Sequence, residues 1–140
     1  MGILADVFVS TPEDAANYEQ SMLARTRDEH FTYVEYKGVT SLEFGQLIAI
    51  LEGVPFDQKT HEFSLIWETE GALIEQFSSD AVSLLSSLTA ESLISAAERW
   101  CEIEELRCSS EALEPILADL QRLARLARET DKGMYIYNSV

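Results

Sequence analysis

Basic side chains are scarce in this chain. Ten lysines and arginines stand against 25 aspartates and glutamates in 140 residues, for a formal net charge of -15. Naked DNA or RNA and anionic membrane faces would be repelled over most of such a surface, so no nucleic-acid and no membrane partner is expected. Cysteine is nearly absent too. Cys101 and Cys108 are too few for a disulfide framework, and a single pair seven residues apart is not a zinc spacing. The six glycines are scattered and form neither Gly-x-Gly nor Gly-Lys-Ser/Thr, so no phosphate loop and no nucleotide cofactor are expected.

Histidine is limited to His30 and His61. Neither lies in a Gly-x-Ser-x-Gly nucleophile elbow. His61-Glu62 resembles half of a zincin motif, but Leu65 stands where the second histidine would be. No catalytic, cofactor-binding or metal-ligating residue is therefore assigned. Met1-Gly2-Ile3-Leu4-Ala5-Asp6 lacks the basic start of a signal peptide. The longest apolar run in a helical segment, Leu47 to Leu51, is far short of a membrane span. A reducing cytoplasm is the expected location.

What is present is a core. Hydrophobic residues make up 46% of the chain, enough apolar area to offset the ordering entropy despite the charge. A 15.7 kDa chain exposes about 7,300 Å² when folded, which suits one core and one domain over residues 1–140. The acidity is uneven. Residues 1–110 carry 20 acidic and six basic side chains, whereas residues 111–140 carry five and four.

Hydrophobic period and turn signals give five strands and five helices. Leu4 to Ser10 alternates as a strand whose two faces are both partly covered. Thr11-Pro12-Glu13-Asp14 opens a helix with Ala15, Tyr18, Met22 and Leu23 inward. Arg25 to His30 is a connection, and Phe31 to Tyr36 a strand. Thr40 and Glu43 form a capping box for a helix that stops at Gly53. Glu62 to Thr69 and Ala72 to Phe77 flank Glu70-Gly71 as a hairpin, with Gly71 expected at positive φ and with Phe63, Leu65 and Trp67 on one face. Helices follow from Ser79, from Ala90 to about Glu105 (Leu93, Ile94, Ala97, Trp100, Cys101 and Leu106 inward), and from Ser109 or Ser110. Pro115 is awkward in the last of these, so the true start is expected near Glu114. Met134 to Tyr137 closes the chain as a strand beside the first. The class is α+β: a small mixed sheet packed with helices.

Two acidic loci are the candidate partner surface. One is the hairpin, with Glu68, Glu70 and Glu75 beside Trp67. The other is Glu98, Glu102 and Glu105, which recur at helical spacing on the polar side of one helix, with Glu104 beside them. Arg122, Arg125, Arg128 and Lys132 form the only basic stripe and read as an exposed helix face. The favoured function is a non-catalytic macromolecular binding protein of immunity or inhibitor type, presenting carboxylates to a cationic protein. Two other readings stay open. One is a small hydrolase-like enzyme whose carboxylates and a tyrosine converge from distant elements in a cleft. The other is a homo-oligomer, for example a homodimer, that buries Tyr135, Tyr137 or the hairpin edge.

Overall fold

Leu4–Ser10 (β1) is buried from Ala5 onward without a break, and Gly133–Ser139 (β5) is nearly so. Two adjacent strands hidden on both faces require a helical cover on each side of the sheet. The computed structural model, which describes residues 4–57, 63–103, 106 and 108–139, shows that arrangement. The remaining strands are Thr32–Lys37 (β2), Ser64–Glu68 (β3) and Ala72–Gln76 (β4), and the sheet order is β2-β1-β5-β4-β3. Every pairing is antiparallel, so the α+β sheet is uniform rather than mixed. The chain's last strand completes the centre, between β1 and β4.

Alternation along β1 assigns the two faces. Ala5, Val7 and Val9 point to the larger core, with Met134 and Ile136 of β5. Four helices close that side: Ser41–Glu52 (α4), Ser79–Ser86 (α5), Ala90–Trp100 (α6) and Ser110–Glu129 (α7). Phe8 points the other way and joins Ile74, Tyr135 and Tyr137 in a smaller aromatic core. Three short helices lie along the chain between β1 and β2: Pro12–Ala15 (α1), Tyr18–Leu23 (α2) and Arg27–His30 (α3). The first two bring Ala15 and Tyr18 into this second core.

The expected single helix after Thr11 is thus two, broken at Ala16-Asn17. Thr11 does cap it, accepting from the Asp14 amide at 3.2 Å. The break ends the stripe, and Leu23 is 74% exposed rather than inward. Arg25 then takes a left-handed φ of 62°, and the expected connection winds one turn of α3. At α4, Thr40 accepts from the Leu42 amide and its hydroxyl donates to the Glu43 carboxylate, so the two side chains bond each other instead of trading backbone donors. Gly53 ends the helix at φ 73°, the left-handed C-cap that glycine adopts without a Cβ clash. Leu42 is exposed at the helix start, while Phe44 and Leu47 are fully buried.

The hairpin forms with a bulge. Leu65 faces Glu75, but Trp67 faces Ile74, so one extra residue is inserted between them. A side-chain period of two does not survive an insertion. Leu65 is 54% exposed at the sheet edge, while Trp67 turns to the aromatic core. Phe63, Leu65 and Trp67 therefore do not share a face. Gly71 does not use the left-handed region. The turn is closed by the Thr69 amide donating to Ala72 at 2.8 Å.

Helix α6 stops at Trp100, earlier than expected, and leaves Ile94 exposed. Thr89 caps it in a reciprocal box with Ser92. Helix α7 starts at Ser110 under a Ser109 cap and carries Pro115 inside it, not at its start. Proline there forgoes one amide donor and crowds the preceding turn. Pro115 is exposed, so nothing in the core depends on its ring. Pro115→Ala is expected to stabilise the fold by about 2 kcal/mol, the helix-interior penalty less the lost restriction of the unfolded chain. Urea unfolding followed by circular dichroism measures this, and an unchanged or lower midpoint would count against it.

Candidate functional site

The acidic surface is built on elements that share no strand or helix. Glu68 and Glu70 are exposed at the hairpin turn, and Glu75 is half-buried opposite Ile136 of β5. Trp67 is also half-buried, with one side spent on the aromatic core. Glu98 is exposed on α6. Glu102 is exposed too, but it lies past the helix end, because Cys101 already caps α6 by donating to Ala97 at 3.0 Å. The Glu98–Glu102 spacing is therefore not carried by one continuous helix. Glu104 and Glu105 lie outside the described residues, as does His61. Among the described residues, Glu68, Glu70, Glu98 and Glu102 make no ion pair.

A second constellation escaped the sequence reading. Asp6 sits mid-strand in β1, is 4% exposed, and accepts from the Tyr18 hydroxyl at 2.6 Å. Tyr137, its cross-strand partner, donates to Glu19 at 2.6 Å. Burial, then the Glu19 bond and charge, then Asp6, push the Tyr137 phenol well above its ordinary value. Two carboxylates from different elements do meet a tyrosine here, as the enzyme reading requires. Asp6 is buried against packed aromatic rings, with Phe8 stacked on its partner Tyr18 at 4.0 Å, and Glu19 is half-buried. None of the four groups lines either cavity described below. A phenol held protonated and a carboxylate sealed under rings suit a structural network rather than proton transfer to a ligand. The signal in the sequence was an aspartate at a strand-interior position, where an acid must find partners.

Tyr135 and Tyr137 are both buried by their own chain, so neither is the oligomer contact suggested by the sequence. The hairpin's outer strand β3 does end the sheet.

Two cavities open where β1 and β4 end and β5 begins. The larger, about 480 Å³, lies between the first turns of α5 and the end of α7, and Arg128, Lys132, Gly133 and Tyr135 line it. The smaller, about 290 Å³, is lined by Thr11, Asp14, His30 and Phe31, and shares Lys132. The four basic residues of the stripe are exposed, as expected, and they meet different partners. Arg122 pairs with Asp119 at 3.3 Å. Arg125 donates to the Ser86 carbonyl at 3.1 Å and Arg128 to the Ser86 hydroxyl at 3.0 Å, so two cations meet the negative end of α5. Lys132 is left to the cavities.

Cys101 is half-buried and its thiol donates to the Glu98 carbonyl at 3.0 Å. Burial, with Cys101 nearby, raises the Cys108 thiol, the opposite of activation. Among the described residues no group of three His, Cys, Asp or Glu side chains is placed to hold a metal, and no helix is long and apolar enough to cross a membrane. No protein-family model, no curated protein and no solved structure matches this chain.

Proposed function

We propose that the protein works without catalysis, by binding a cationic macromolecule in the manner of an immunity or inhibitor protein. One observation carries this reading: Glu68, Glu70, Glu98 and Glu102 are exposed and free of ion pairs among the described residues, in a chain of net charge -15. Carboxylates that spend no charge on internal partners keep their field for an incoming one. Their effect falls mainly on association rate and salt dependence, since rim charges steer encounter more than they hold the complex. The half-buried Trp67 beside Glu68 offers apolar area for the contact itself.

The test is capture from the source cell at low ionic strength, followed by binding kinetics with the captured polypeptide. The expected partner is strongly basic and is released as salt rises and the screening length contracts below about 10 Å. The variant carrying Glu68→Gln, Glu70→Gln, Glu98→Gln and Glu102→Gln should associate about tenfold more slowly or worse, with a flatter salt dependence and an unchanged circular dichroism spectrum. A partner held equally well by that variant, or no basic partner at all, would remove the reading.

A further inference from the structure

The larger cavity holds features that the acidic exterior does not explain. Tyr135 is completely buried, yet its hydroxyl has no hydrogen-bond partner, an uncommon state for a covered polar atom. Gly133 forms the wall beside it. A Cβ there would stand 3.0 Å from Gln76 Nε2 and 3.2 Å from Tyr135 Oη, so glycine is what lets the Gln76 amide and the covered Tyr135 phenol pack this close to the backbone at the cavity wall. Asp131, at a left-handed φ of 55°, turns the chain out of α7 and sets Lys132 and Gly133 at this point. Arg128 enters from α7, and its described hydrogen bond goes to a neutral hydroxyl, not to a carboxylate. Ser79 enters from the start of α5, where the Ser78 side chain already occupies the Ala81 amide and the first-turn amides precede any intrahelical acceptor.

We propose that this cavity binds a small phosphorylated organic molecule. Arg128 and Lys132 would take the phosphate, Ser79 and the α5 first turn would donate to it, and the Tyr135 hydroxyl and Gln76 amide would orient the body. The inference is independent of the cationic partner. Among the described lining residues two cations face one carboxylate, Asp131. The bulk acid field is screened within about 8 Å at physiological ionic strength, so the lining groups dominate. A guanidinium fork with a lysine and helix amides is the donor set that tetrahedral oxyanions favour. Burial, then the Glu13 charge, raises the Tyr135 phenol, which keeps its proton for donation. A cavity of about 480 Å³ is within the range of small-molecule sites and holds far more than a bare phosphate.

The experiment is an amide NMR titration of the whole chain with inorganic phosphate and with ribose 5-phosphate as probes. Saturable shifts are expected at Ser79, Lys132 and Gly133, with ribose 5-phosphate binding at least about tenfold tighter. Arg128→Gln and Lys132→Gln should each weaken binding about tenfold, because a charge-assisted bond is lost. Tyr135→Phe deletes an unpartnered hydroxyl, so it should fold at least as stably as the parent and still bind about tenfold more weakly. Absence of saturable shifts, equal affinity for the two probes, or binding unaffected by both Lys132→Gln and Tyr135→Phe would overturn the assignment.

Discussion

Replacing Trp100 with alanine is expected to lower the unfolding free energy by about 4 kcal/mol, within the range for deleting a large buried aromatic. Trp100 is the last residue of α6, fully buried, and its indole Nε1 donates to the Glu43 carbonyl at 3.0 Å. The bond fastens α6 to the first turn of α4 across 57 residues of sequence. The ring lies 6.1 Å from Phe44, which lies 5.9 Å from Phe77, which lies 4.8 Å from Phe63 at the base of the hairpin. Alanine would open a void at one end of that chain of rings. Trp100→Phe separates the two contributions, since it keeps most of the bulk and removes the donor. It should cost roughly half as much, the lost bond supplying about 1 kcal/mol of it. Urea unfolding with an unchanged m value measures both variants. A loss under about 1 kcal/mol for the alanine variant would mean that the helical layer does not depend on this contact.

The parts of the fold that were legible in the sequence are those set by local chemistry. Thr11 and Ser109 cap helices because a hydroxyl at that position meets an orphan amide whatever the tertiary context. Gly53 ends α4 because a left-handed residue is needed there, and an Asn or Gly meets that need most readily. The strand Leu4–Ser10 was legible to the residue, since its alternation is not interrupted. Two of the failures share a cause: each is an insertion or break that costs little locally and resets the period. The bulge between Leu65 and Trp67 moves one aromatic to the opposite face, and the interruption at Ala16-Asn17 frees Leu23 from the core. Pro115 sits inside α7 rather than at a start near Glu114 for the converse reason. Ser109 caps the start, Leu113 and Leu117 are buried on either side of the proline, and that packing outweighs a missing amide bond.

The candidate site divides along the same line. Acid excess is additive and needs no fold, so the exposure of Glu68, Glu70, Glu98 and Glu102 follows from composition almost unaided. The cavity at Lys132 does not. It joins Pro12, Gln76 and the run from Arg128 to Tyr135 from three separate stretches of chain, and only the insertion of β5 between β1 and β4 brings them together. Asp6 was visible as an anomaly, but its partner Tyr18 lies twelve residues on, across a helix break. Periodicity places such residues on elements; it does not say which elements meet.

Phe8→Ala tests whether the smaller core is a cooperative part of the fold or an attached cover. Phe8 is fully buried, stacks on Tyr18 at 4.0 Å and 14°, and lies 5.5 Å from both Phe31 and Tyr135. Truncation should cost about 4 kcal/mol, combining lost transfer energy, a cavity, and aromatic contacts worth about 1 kcal/mol each. Tyr18→Phe is the milder companion. It keeps the stacked ring and removes the hydroxyl that bonds buried Asp6, for a cost of about 2 kcal/mol. Hydrogen exchange locates the damage. If the aromatic face is a separate unit, protection falls first between Thr11 and Phe31, while α7 holds its amides at the level of global unfolding. That is the expected pattern, because Phe8 and Val7 point to opposite sides of one strand and the helices on the two sides draw on different cores. Uniform loss of protection would instead make the sheet a conduit between its faces. A cost under about 1 kcal/mol for Phe8→Ala would show that the rings relax to fill the gap, and that Asp6 and Tyr18 hold this layer without them.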